Sequence, residues 1–183
     1  MATKTQKKPL PKPYTTLHDL LIVKLQALHD VEGQIIKALP KLSKAATDPK
    51  LKQAFDDHLK ESEKQEERID RALELLGDTA KGKIKSEAIR GLADDGDWVT
   101  KNVKDPAARD AMLVAAAQYV EHYEIAGYGT AITWAKLMGH SDVVDLLQET
   151  LDEEENADIT LSALAESAIN DQVETGMSED ETS

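Results

Sequence analysis

Residues 105–139 read DPAARDAMLVAAAQYVEHYEIAGYGTAITWAKLMG, a single long helix by every local signal. Asp105 offers a side-chain acceptor to the orphan amides of a helix start, and Pro106 has its φ already set for the first helical position. Gly139 supplies the left-handed residue on which helices commonly stop. Between them Val114, Ala117, Glu121, Glu124, Tyr128 and Ile132 follow in steps of three or four, so one face turns inward along the whole helix. In the middle of that face stand two carboxylates where leucines are expected.

The same start and stop occur earlier, with Asp48 and Pro49 opening a helix that ends at Gly77 after Leu75 and Leu76. A first helix begins at Thr15 or Thr16 and runs through Leu17, Leu21, Leu25, Leu28, Ile35, Leu39 and Leu42, with a kink expected at Pro40. A fourth helix follows Gly139 after a very short turn, capped by Ser141, and fades near Ala168. Residues 77–105 form a link as long as a helix, with a short helix expected at Ser86 to Leu92. Short links make antiparallel neighbours, whereas one long link lets the second and third long helices run the same way. The expected fold is therefore all-α, a four-helix bundle of ferritin-like arrangement with one long crossover that contains a short helix. It spans residues 14–169, between a basic, proline-rich disordered arm at 1–13 and a disordered acidic tail at 170–183.

Every long helix interrupts its apolar stripe near its middle. Glu32 interrupts the first; His58, Glu61 and Gln65 the second; Glu121 and Glu124 the third; Glu154 and Asp158 the fourth. Burying one unpaired carboxylate costs several kcal/mol, and gathering several adds like-charge repulsion. Divalent cations are the natural compensation. The 183 residues include no cysteine, so a metal must be held by oxygen and imidazole. Glu32, His58, Glu61, Glu121, Glu124, Glu154 and Asp158 are the expected ligands of two ions. Six carboxylates exceed the four charges of two divalent ions, so a protonated carboxyl, a carboxylate outside the ligand set or a cation such as Arg68 is needed to balance them. Gln65 and Tyr128 stand beside the ligands as hydrogen-bonding support. For Tyr128 a bundle tyrosine with a satisfied hydroxyl is the plainer alternative, and His122 sits one residue off the stripe.

The formal net charge of −13 argues against nucleic acid as a partner. No stretch has the uncharged apolar length of a membrane span, and the N-terminal residues lack the apolar core of a signal peptide, so a cytoplasmic protein is expected. Gly127 and Gly129, with Ala126 and Ala131, leave a thin-walled patch suited either to internal packing or to a dimer contact.

Val31-Glu32, His58 through Glu61 with Arg68 following, Glu121-His122-Tyr123-Glu124-Ile125-Ala126 with Tyr128-Gly129, and Leu151 through Asp158 together resemble the YciF-type (DUF892) branch of the ferritin-like superfamily. The resemblance implies a ferritin-like four-helix fold, a homodimer, a di-metal carboxylate site and a stress-related role. The wider superfamily uses a Glu from each of two helices and a Glu-x-x-His from each of the other two. Here the second helix has His58-x-x-Glu61 in reverse order, and the fourth has no histidine. A set so poor in imidazole favours manganese or iron, with magnesium as a third candidate. The expected chemistry is metal oxidation by peroxide or dioxygen. The alternative is a non-enzymatic, dimeric stress or interaction protein whose metal or core ion network only stabilises the bundle.

Overall fold

The two Asp-Pro pairs act as helix starts. Asp48 accepts from the amides of Lys50 and Leu51 at 2.8 and 3.0 Å, and Asp105 accepts from that of Ala108 at 2.8 Å. Thr16 rather than Thr15 caps the first helix. Its hydroxyl takes the Asp19 amide while the Asp19 carboxylate takes the Thr16 amide, so two orphan donors are satisfied reciprocally. Gly77 and Gly139 adopt φ of 79° and 76°, and in each case the next residue's amide reaches back to a carbonyl five positions earlier.

This computed structural model describes residues 14–80 and 84–174. The described residues form α1 (Leu17–Ala45), α2 (Pro49–Leu75), α3 (Glu87–Asn102), α4 (Pro106–Leu137) and α5 (Ser141–Leu164), then a π-helical turn at Ala165–Ile169, with no strand among them. The arm at 1–13 lies outside the described residues, as do 175–183 of the tail, while 170–174 are helical.

Two local expectations need correction. Ser141 is the first residue of α5 rather than its cap; His140 takes the cap position without a side-chain hydrogen bond, being the one residue between Gly139 and the start of the helix. The helix in the long link runs to Asn102 instead of stopping near Leu92. Gly96 within it is buried and a Cβ there would meet Leu42 at 3.2 Å, so it allows close packing on α1. Pro40 sits within α1, which continues to Ala45.

Helix α1 packs along α2 and α4 along α5; α2 also meets α5, α1 meets α4, and α3 lies against α1 and α4. The apolar core falls into two clusters. One joins Leu21, Leu25 and Leu28 of α1 with Ile69 and Leu73 of α2, Tyr128 and Ile132 of α4, and Val143 and Leu147 of α5. The other joins Val31, Ile35 and Leu39 with Leu51 and Phe55, Leu113 and Val114, and Leu161. Along α2, α4 and α5, buried polar residues separate the segments belonging to the two clusters, and on α1 Glu32 lies at the changeover.

A clasp at one end was not anticipated. Asp110 of α4 is buried, and its carboxylate accepts from the amides of Thr47 and Asp48 at 2.9 and 2.7 Å and from the Thr47 hydroxyl at 2.6 Å. Its neighbour Arg109 donates to the Ala45 carbonyl at 3.0 Å. An anion thus meets the N-terminus of α2 and a cation the C-terminus of α1, each matching the helix macrodipole.

Candidate metal centre

The period of 3.6 residues carries Glu32, His58, Glu121, Glu124 and Glu154 to the inside of α1, α2, α4 and α5, and all five are buried. One ligand atom from each of His58, Glu121, Glu124 and Glu154 lies within 4.8 Å of all the others. Opposed ligands of an ion with bonds of about 2.1–2.4 Å stand roughly 4.2–4.8 Å apart, so the group has the dimensions of a coordination shell. Nε2 of His58 is 3.5 Å from Glu121 and 3.9 Å from Glu154, too far for hydrogen bonds.

Electrostatics isolate this group. Burial and the charge of Glu154 push the Glu32 carboxyl up to about 8, although the Tyr128 hydroxyl, which donates to it, opposes the shift. Burial raises Glu124 well above the carboxylate range, reinforced by Glu32, Glu154 and Glu121. Burial also raises Glu121, partly offset by His58. Burial alone would lower His58, but Glu121, Glu61, Glu154 and Glu32 lift it to about 10.

Eight nitrogen and oxygen atoms of Glu32, His58, Glu121, Glu124 and Glu154 are buried with no hydrogen-bond partner from the protein. An unsatisfied buried polar atom costs about 1–3 kcal/mol, and more if charged. A cluster of eight is therefore expensive without a ligand. Hard oxygen donors with one imidazole fit a divalent cation.

The other candidates lie around this core. Glu61 is on the rim, its side chain 39% exposed and 3.7 Å from Nδ1 of His58. Asp158 stands apart, accepting from the Gln118 amide at 2.9 Å and facing His122 at 3.5 Å. Tyr128 is fully buried, with its hydroxyl on Glu32. Arg68 turns away from the buried carboxylates and grips Glu153 through both terminal nitrogens, at 2.6 and 2.8 Å, and Glu149 at 2.6 Å. Gln65 donates to the same Glu153 at 3.0 Å.

Three residues escaped the sequence reading. Ser62 is fully buried in the stripe, with its hydroxyl unpartnered; a step of four from His58, then three to Gln65, finds it where a step of three found Glu61. Thr150, fully buried, lies a step of four before Glu154 and receives Arg68 at 3.3 Å. Glu153 reads as solvated face, but Arg68 makes it a structural partner, and no signal in the sequence joins the two.

Residues 16–174 match the family described as a domain of unknown function, DUF892. The chain belongs to the DUF892 family. Within that family it is similar to Protein YciF of Escherichia coli (strain K12), 41% identical over 159 residues that cover 87% of this chain and 96% of the relative. The crystal structure of the E. coli stress protein YciF superposes with a TM-score of 0.81, covering 85% of this chain and 98% of that one. YcfI from Rhodopseudomonas palustris gives 0.80 at 41% identity, covering 84% and 97%. Protein XCC3681 of Xanthomonas campestris, at 19% identity and a TM-score of 0.70, covering 88% and 99%, shares the fold.

Proposed function

We propose that this DUF892 chain is a ferritin-like di-metal carboxylate protein of the stress response, in which two iron or manganese ions react with peroxide or dioxygen. The observation that carries the reading is the set of four buried carboxylates and one histidine with eight unpartnered atoms. Glu32, Glu121, Glu124 and Glu154, all ionised, would carry four negative charges, which two divalent ions balance without help from Arg68. Bound as a pair, iron or manganese supplies two electrons to one oxidant. The chain's own residues bring the carboxylates together from four helices, flank them with the two apolar clusters, and fix Glu32 through the Tyr128 hydroxyl.

A ferritin-like bundle with α3 on the crossover accords with the core. The C-terminal halves of α2 and α4 share one apolar cluster with the N-terminal halves of α1 and α5, so α2 and α4 run the same way. Self-association into a homodimer has support in Met112, Tyr119 and Leu137, large side chains exposed on α4. Sedimentation should report twice the chain mass.

A non-enzymatic role has one observation in its favour: the buried acids and His58 come from α1, α2, α4 and α5, so a metal among them would tie four helices together. Turnover separates the two. Iron-loaded protein should consume about one peroxide per two irons, faster than free iron in buffer, because the pair is a two-electron donor. Glu121→Gln should abolish this along with the second metal. Two bound metals without any reaction would leave the structural role, or magnesium, as the better account.

A further inference from the structure

Between α2 and α5 a cavity of about 240 Å³ opens from the surface and ends on His58 and Glu121 of the candidate centre, with Asp57, Glu61, Asn156 and Thr160 also in its wall. The acidic and imidazole groups along it are graded in burial. Side-chain exposure falls from 52% at Asp57 to 39% at Glu61, 8% at His58 and 3% at Glu121. Asp57, paired with Lys60 at 2.7 Å, and Glu61 lie one helical turn apart at the mouth, so Glu61 is the acid that faces an entering ion. At the inner end both nitrogens of His58 and one oxygen of Glu121 lack partners.

We propose that this cavity is the passage by which a hydrated divalent cation reaches the buried centre, and that Glu61 transfers the ion from the mouth to His58. The proposal rests on the metal reading above and adds the route. A six-water shell occupies roughly 180 Å³ at about 30 Å³ per water, so the cavity has the volume for an ion with much of its water. Oxygens staged along the wall can replace the water of an entering divalent ion stepwise. A second cavity under α3 also ends on His58 and Glu121, but side chains such as Ile35, Leu39, Ile89 and Leu92 line most of it and offer nothing to replace lost water.

The test is stopped-flow uptake of Co²⁺ by metal-free, full-length protein, followed by its visible absorption, with equilibrium affinity measured separately. Thr160→Trp, a change at an exposed position in the cavity wall, should slow both uptake and chelator-driven release while leaving affinity within about twofold, because a passage alters the barrier and not its ends. Glu61→Gln should slow uptake by about tenfold, the low end of what acidic focusing adds to an on-rate. Ala93→Leu, in the wall of the apolar cavity, should load at the wild-type rate. Wild-type rates in Thr160→Trp, or slow loading in Ala93→Leu alone, would overturn the route and leave the metal centre standing. Weaker affinity at an unchanged uptake rate in Glu61→Gln would make it a ligand and remove its transfer role. Failure of the wild type to bind Co²⁺ at all would overturn both readings.

Discussion

His58 and Glu32 hold protons in the folded chain that they would release once unfolded at the same pH. Glu32 keeps its proton to about 8 against an ordinary 4.5, and His58 to about 10 against 6.5. The folded state therefore binds more protons across that interval, and its stability falls as pH rises. The Glu32 contribution is complete below 4.5 and gone above about 8; that of His58 is complete below 6.5 and gone above about 10. Asp30 and Glu153 act with the opposite sign: burial pushes them up, but hydrogen bonds from Lys85 and Arg68 hold them below their ordinary values, so their contribution is lost only in acid. In chelator the melting temperature should thus drop between about pH 6 and pH 9, and Mn²⁺ should restore more stability at the higher pH, since ligation displaces these protons. A flat profile in chelator would contradict the buried cluster. The carboxylates of this cluster were legible because a charge on an apolar stripe is conspicuous in any sequence. Ser62 was not, since a small hydroxyl there is ordinary, and Glu153 was not, since its partner lies on another helix.

Helices are specified by their ends and by how closely their neighbours approach. Gly127 and Gly129 of α4 look alike in sequence but separate in space. A Cβ on Gly127 would stand 2.8 Å from Cδ2 of Leu28, while one on Gly129 would meet nothing within 4 Å. Gly127→Ala should therefore cost about 1–3 kcal/mol through overpacking. Gly129→Ala should be neutral or stabilise by about 0.5–1 kcal/mol, as expected in an open helix interior. Urea titration of both variants checks the pair, and equal effects would sink the assignment. The clasp of Asp110 on the α1–α2 turn should be worth about 2–3 kcal/mol, because Asp110→Ala strands the Thr47 and Asp48 amides. That residue was invisible beforehand, being a long-range cap with no local pattern. The start of α3 was readable at Ser86, but its length was not, because Gly96 matters only once Leu42 of α1 is beside it.

For the whole molecule, metal removal is the decisive perturbation. Complete chelation, verified by elemental analysis, should lower the melting temperature, and an unchanged value would count against a metal centre. The all-helical content was legible from periodicity alone, whereas the pairing of helices rested on link lengths. The two apolar clusters, parted by a polar level that every long helix crosses, bear on cooperativity. Each is a small core with its own share of all four long helices, joined to the other through groups that repel one another when no cation lies among them. Loaded protein should unfold in one calorimetric transition with matching van't Hoff and calorimetric enthalpies. Stripped protein above neutral pH should unfold in two, and amide exchange should show one half opening while the other stays protected. On this view the centre is also a mechanical coupling, making two half-size folding units behave as one.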